Sequence, residues 1–395
     1  MDKVTFEVHE LPERLSLRGH SVDFIDFPEA VKLQGWRKCL DLGTTKRIVK
    51  GKTLQGSSVS LFTPGRIFAP PFDRLLASLT FMRLLRDRLR TEEYDAIVLY
   101  AVPTNGWQTI LLAKRYKVPV VFRGIDIAHL IRETHFRPLV QIAERYVYRK
   151  ADTLSLNNPV LASYCRREGS SPERTTVLLP GLDLEHFSPG KKKQDLLNQH
   201  GISDTDFVVV FMGTFFNFSG LDEVLIELSK RRHLMPEVKL LLIGGGDLDN
   251  EISAIVRNHG LEECVIRTGF ISYQQLPEYL RLANAAICSF RPEKVANHAL
   301  PWKVIQYLGI GLPVVSRRLL GLESIMNESD GIQFVDSTTE MLDVIIELRN
   351  TAEQRVTLAA KGHSFVKENF DWKKQEVKFE ELILETIGNH QDECK

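Results

Sequence analysis

Short runs of Val, Ile, Leu and Phe alternate along this chain with longer stretches in which apolar residues recur every three or four positions. That alternation is the pattern of β-α-β units, and strands built of continuous aliphatic residues predict parallel sheets covered on both faces. In the first half the predicted strands are SVDFIDF, YDAIVLYAV, VPVVFRG, TLSLNN and TTVLLPG, with helices over FDRLLASLTFMRLLRDRLRTEE and FRPLVQIAERYVYRKAD. The second half repeats the rhythm with strands DFVVVFMG, VKLLLIGGG, CVIRTGF, AAICSF and LPVVS, and helices through LDEVLIELSKRR, LDNEISAIVRNHG, LPEYLRLANA and PWKVIQYLGIG. Between the halves, Ser188 to Asp206 is polar and lysine-rich, the composition of a boundary. The expected division is an N-terminal domain over 1–189, a linker over 190–206, a C-terminal domain over 207–370 and a last helix over 371–395.

At 395 residues the chain is long enough for two cores. Lys plus Arg and Asp plus Glu each total 51, and that balance argues against nucleic acid as an obligatory partner. The five cysteines, Cys39, Cys165, Cys264, Cys288 and Cys394, stand far apart without a C-x-x-C pair, which suits reduced thiols rather than a disulfide or zinc framework. The N-terminus carries charge from its second residue, and no stretch reaches the roughly 20 apolar residues of a membrane span. A soluble, cytoplasmic chain is expected. GRIFAPPFDRLLASLTFMRLLRDRLR mixes apolar and Arg residues as a membrane-surface helix does, or as an ordinary amphipathic helix with a basic solvent face does.

The chemistry is sought at strand C-termini, where open parallel sheets bind ligands. One strand of the second half ends at Gly213 and its loop reaches Gly220 just before a helix. The next ends in Gly244, Gly245 and Gly246. Glycine lets backbone approach a phosphate, and the helix start that follows offers free N–H groups. RPEKVANHALPWKVIQYLGIG then leads an irregular loop rich in Arg, Lys, Asn and His through Pro301 into a helix. Arg291 and Lys303 stand there as cations for an anionic ligand, against the alternative of a solvated polar face.

These stations resemble retaining glycosyltransferases of family 4. The likeness is carried by FMGTFFNFSGLDEVLIEL, LLLIGGGDLDNEI, IRTGFISYQQLPEYLRLANAAICSF and WKVIQYLGIGLPVVS in that order, and by PGLDLEHFSP between the halves. It implies an α/β GT-B fold, two Rossmann-like domains with parallel sheets facing across a cleft, the acceptor domain over 1–189 and the donor domain over 207–370, with the helix over 371–395 crossing back to the N-terminal domain. It implies transfer from a nucleoside diphosphate sugar to a glycan or lipid-linked acceptor, as in polysaccharide or glycolipid synthesis, with peripheral contact at the inner membrane face. No cofactor and no metal are expected, the nucleotide sugar being the substrate.

Position by position the resemblance is mixed. The family's diphosphate-gripping Arg and Lys fall on Thr214 and Ser219, leaving Gly213, Thr214, Gly220, Gly244, Gly245, Phe270, Arg291, Lys303 and Gln306 as donor-binding candidates. The paired Glu stations fall on His298 and Gln306, whose amide can still bind a ribose hydroxyl. In place of His-Gly-x-Asp stand Arg123, Gly124, Ile125 and Asp126. Arg123, Asp126 and His298 are therefore the catalytic candidates, with Asp126 equally suited to a helix N-cap and His129 and His135 as lesser possibilities. VTFEVHELPERLSLRGHSVDFID implies that the family's first strand is missing or its glycine-rich loop shortened. Two other readings remain: a nucleotide-sugar-binding subunit impaired in catalysis, and another GT-B enzyme such as an epimerase or phosphorylase.

Overall fold

The structure, a computed structural model, describes residues 7–26, 40–41, 43–67, 73–100, 105–131 and 136–393; Cys39, His135 and Cys394 lie outside them. The chain folds as two compact units, one of residues 5–178 with 375–395, the other of residues 1–4 with 179–374.

In the first unit, α1 (Glu7–Leu17) precedes β1 (Asp23–Ile25), β2 (Leu40–Asp41), β3 (Thr45–Lys50), β4 (Ser58–Thr63) and β5 (Arg66–Ile67). Strand β4 pairs with β1 in parallel and with β3 antiparallel. Then α2 (Asp73–Thr91), β6 (Ile97–Leu99), α3 (Gly106–Tyr116), β7 (Val120–Gly124), α4 (Ala128–Ile131), α5 (Arg137–Lys150), β8 (Thr153–Leu156), α6 (Pro159–Arg167) and β9 (Thr175–Val177) build a parallel sheet of order β6-β7-β8-β9. Alternation along β7 sends Phe122 into the core with Ile110, Val147 and Tyr148, while Arg123 points to the opposite face. The apolar residues of α2 are spent inside the unit: Phe81, Leu85 and Leu89 pack with Leu112 and Val118.

The second unit holds α7 (Gln194–Gln199), β10 (Phe207–Thr214), α8 (Leu221–Arg231), β11 (Val238–Gly245), α9 (Asp249–Asn258), β12 (Val265–Gly269), α10 (Leu276–Leu280), β13 (Ala285–Cys288), α11 (Lys294–His298), α12 (Trp302–Gly309), β14 (Val314–Arg317), α13 (Leu320–Glu323), β15 (Ile332–Val335), α14 (Thr338–Asn350) and α15 (Ala352–Asn369). Its parallel sheet has the order β12-β11-β10-β13-β14-β15. Helices cover both faces, with one cluster around Val210, Leu241, Val304 and Leu308 and another around Phe211, Leu225, Leu242 and Ile345. The stretch 190–206 carries α7, whose Leu197 joins the first of these clusters along with Ile202. After Phe370 the chain bends into α16 (Trp372–Glu393), and from Gln375 onward it belongs to the first unit.

Candidate functional site

The order of the second sheet reverses between β10 and β13: strands β10, β11 and β12 step outward one way, and β13, β14 and β15 the other. Loops leaving such a switch point diverge to opposite faces and open a crevice at the strand C-termini. The glycine stations collect here. Gly213 and Thr214, the last residues of β10, are in register with Gly244 and Gly245 at the end of β11. The Phe270 ring, beyond β12 and 45% exposed, lies against Gly245. On the other side of the reversal, Gly220 sits so close to β13's exit that a Cβ would stand 2.2 Å from the Ser289 carbonyl oxygen. Its φ of 67° closes the turn Asn217–Ser219 into α8.

Lys303, the second residue of α12, enters this crevice from above. Tyr307, four residues on, accepts a 2.6 Å hydrogen bond from the Met212 amide and so fixes α12 over the end of β10. Lys303 is 8% exposed, and its Nζ has no hydrogen-bond partner among the described residues. The ammonium lies 3.8 Å from the Phe211 ring centroid and 4.1 Å from that of Phe290. A Cβ on Gly213, whose φ is 134°, would stand 2.9 Å from Nζ. Burial lowers the Lys303 pKa to about 7. Ring faces offset part of the desolvation, but they leave the donors unused. Ser219 Oγ is a second buried polar atom without a partner at the same turn.

Other candidates have different occupations. Gln306 is one turn along α12 from Lys303 and buried. The Arg291 guanidinium donates to the Asn217 carbonyl and pairs with Asp222 and Glu223, with Nε 2.7 Å from Glu223. It clamps the turn before Gly220 rather than offering a free cation, because α8 brings two carboxylates to it. His298 ends α11 with its ring 2.8 Å from the Lys294 carbonyl. Arg123 departs furthest from the expected catalytic role: it is fully buried, bonded to Glu7 at 2.7 and 2.9 Å, to Ser155 at 3.1 Å and to the Leu178 carbonyl at 2.6 Å. With these partners it is a core strut and cannot meet a phosphate or a sugar. Asp126, just past β7, is partly buried, and burial raises its pKa to about 6. Buried His129 faces Glu144 through Nδ1. Glu144's pKa is raised by burial despite that contact.

The expectation of metal-free chemistry takes the chain to hold no Asp-x-Asp motif, but two such triplets are present, Asp204 to Asp206 and Asp247 to Asp249. Asp206 holds Lys239 at 3.0 Å and the Ser203 amide, while Asp249 caps Gly246 and holds Arg267 at 2.6 Å. Ser289 and the two phenyl rings are the residues around Lys303 and the turn that sequence reasoning missed, while Ser219 entered it only as the replacement of the family's Lys. Only the position of Phe290 and Ser289 at the end of a predicted strand hinted at them.

In fold the chain is similar to sucrose-phosphate synthase from Thermosynechococcus elongatus, with a TM-score of 0.76 at 16% identity over 97% of this chain and 93% of that one. It is similar as well to Anabaena HepE in complex with UDP, with a TM-score of 0.64 at 17% identity over 83% and 86%. Residues 206–351 match the family model "Glycosyl transferases group 1", and residues 6–181 match "Glycosyl transferase 4-like domain". The chain has the GT-B fold, and each of its halves matches a glycosyltransferase family model. Among curated relatives of the chain is a GDP-mannose-dependent alpha-(1-6)-phosphatidylinositol monomannoside mannosyltransferase from Mycolicibacterium smegmatis. It is 23% identical over 62% of this chain and 65% of that protein. Another is the alpha-D-kanosaminyltransferase of Streptomyces kanamyceticus, 22% identical over 56% and 57%. The match thus spans under two thirds of the length of these relatives.

Proposed function

We propose that the chain moves a sugar from a nucleoside diphosphate sugar to a hydroxyl of a glycan or lipid-linked acceptor, with retention and without a metal. The observation that carries this reading is Lys303: a buried ammonium without a hydrogen-bond partner, beside left-handed Gly213, at the sheet's switch point. A diphosphate at Gly213 would supply the counter-charge that Nζ lacks, and the Ser219 hydroxyl would donate to it. In this arrangement Lys303 takes over the charge of the Arg and Lys replaced by Thr214 and Ser219. Gln306 would hold the ribose, and Phe270 the base side of the nucleotide. Catalysis then rests on orienting the donor and stabilising charge on the departing diphosphate, whose oxygen accepts the acceptor's proton. UDP in HepE and GDP-mannose for the mycolicibacterial relative support a nucleotide donor.

A thermal-shift series with UDP, GDP, ADP and their sugars tests the reading: one nucleotide should raise the melting midpoint with the logarithm of its concentration above Kd, and Lys303→Ala should remove the rise. Absence of a shift with every nucleotide would overturn it. A second reading, a nucleotide-sugar-binding subunit without turnover, is favoured by the sealed position of Arg123 at the family's histidine station. Binding without release of product from any acceptor would select it.

A further inference from the structure

In the first unit the parallel strands β6 and β7 are neighbours, with Leu99 in register with Phe122, so the loops leaving their C-terminal ends open on the same edge of the sheet. That edge is where an open parallel sheet receives a ligand. The loop after β7 is anchored on both sides of one residue. Before it, Asn157 donates its side-chain amide to the Ile125 carbonyl at 3.1 Å and its backbone N–H to the Gly124 carbonyl at 3.3 Å. After it, Ile127 is buried in the core with Phe122 and Val147, and Glu144 takes the backbone N–H groups of Ala128 and His129 and faces the His129 ring. Between these anchors stands Asp126, partly buried and without a hydrogen bond or ion pair among the described residues. Burial raises its pKa, with no cation or donor to oppose the rise. The loop after β6 carries a second acceptor. Asn105 ends it just before α3 and makes no side-chain cap, and its Oδ1 is buried without a hydrogen-bond partner among the described residues.

A carboxylate taken out of water without a counter-charge is costly, and a loop held rigid around it keeps that cost in place for a ligand to relieve. We propose that Asp126 and Asn105 form a subsite for an ammonium group, so that the acceptor is an amine-bearing glycan held by its nitrogen while one of its hydroxyls takes the sugar. The chemistry of the two oxygens selects this ligand. An ammonium brings three N–H donors and a full positive charge, whereas a neutral hydroxyl brings one donor and leaves the carboxylate uncompensated. A divalent cation calls for about six oxygens, and no group of three His, Cys, Asp or Glu that could hold a metal occurs among the described residues. The arrangement mirrors Lys303, an unpaired cation for the diphosphate in the second unit, with an unpaired anion for the acceptor in the first. The inference rests on the transfer reading, since it names the acceptor, but it uses no residue of the nucleotide site.

Calorimetry of the full chain with aminoglucoses carrying the nitrogen on carbon two, three or six, each beside its N-acetyl derivative, tests it at neutral pH. At least one amine should bind about tenfold or more tighter than its N-acetyl derivative, the size of a charge-assisted hydrogen bond. That preference should vanish in Asp126→Asn. Asp126 has no partner to lose among the described residues, so Asp126→Asn should melt no lower than wild type and should keep the nucleotide-induced thermal shift. The shift reports the donor reading separately: its absence in wild type would sink that reading, and the amine titration would still decide this one. Equal binding of amine and N-acetyl derivative, no binding of any amine, or a preference that survives Asp126→Asn overturns the proposal. So does an equal weakening of both probes by Asp126→Asn, which would assign the carboxylate to a hydroxyl.

Discussion

At the scale of the residue, Lys303 sets stability against binding. A fall in its pKa from 10.5 to about 7 corresponds to about 5 kcal/mol disfavouring the charged form inside the fold. Lys303→Met, similar in length and without charge, should therefore raise the melting midpoint of the ligand-free protein by several degrees while removing the shift given by nucleotide. Paired melts with and without nucleotide check both halves of that expectation. The pH dependence follows with opposite signs. Because the folded-state pKa lies below the unfolded value, the unfolded chain binds more protons between pH 7 and 10.5, and stability rises with pH across that window. Nucleotide binding, which needs the ammonium, should weaken across the same window by up to tenfold per pH unit. Calorimetry at pH 7 and 9 should show this fall in affinity for wild type, and Lys303→Met should give no binding heat at either pH. Opposite slopes from one side chain are hard to obtain from a general loss of folding.

At the scale of the element, the turn Asn217–Ser219 is held from outside by Arg291 and from behind by Ser289, whose backbone leaves no room for a side chain at position 220. Gly220→Ala forces a strained φ and a backbone clash, and should lower nucleotide affinity at least tenfold. Arg291→Ala should raise the donor KM with a smaller effect on kcat, and Arg291→Lys should not rescue it, because a single ammonium cannot span the Asn217 carbonyl and two carboxylates. Steady-state kinetics at varied donor concentration would show the split. This is also where the sequence can be compared with the structure. Val-, Ile- and Leu-rich runs such as FVVVFM and VKLLLI were legible as parallel strands because burial on both faces leaves an uninterrupted apolar signal. The strand β3, TKRIVK, was not, since its exposed side chains carry no such signal. Nor was β15, four residues long with Gln333 in its middle. Lys303 was legible because its position just inside a helix after a buried strand is a local property. The engagement of Arg291 was not: its partners sit about 70 residues earlier, and only the folded chain brings them together.

At the scale of the whole molecule, the same distinction decides what Arg123 does. The side chain donates to Glu7, Ser155 and the Leu178 carbonyl, Tyr100 adds a 3.0 Å bond to Glu7, and the guanidinium lies 5.2 Å from the Phe379 ring centroid on α16. The group thereby ties α1, the central strands and the C-terminal helix of the first unit around one buried charge pair. Removing one member leaves the other buried without compensation, which costs about 3–5 kcal/mol, whereas replacing both with apolar residues of similar size is often neutral. Arg123→Ala should thus lower the melting midpoint strongly, and Arg123→Met combined with Glu7→Leu should recover most of it. The nucleotide site proposed above lies in the second unit, which has its own core, so Arg123→Ala measured well below its midpoint should still bind nucleotide as wild type does. The resemblance assigns this station to a residue that faces the transferred sugar, and that role makes the contrary forecast: a melting midpoint close to wild type, with turnover lost in the single and the double variant alike. Melts and turnover measured on the same two preparations separate a strut from a catalytic group, because only the strut is restored by removing its partner.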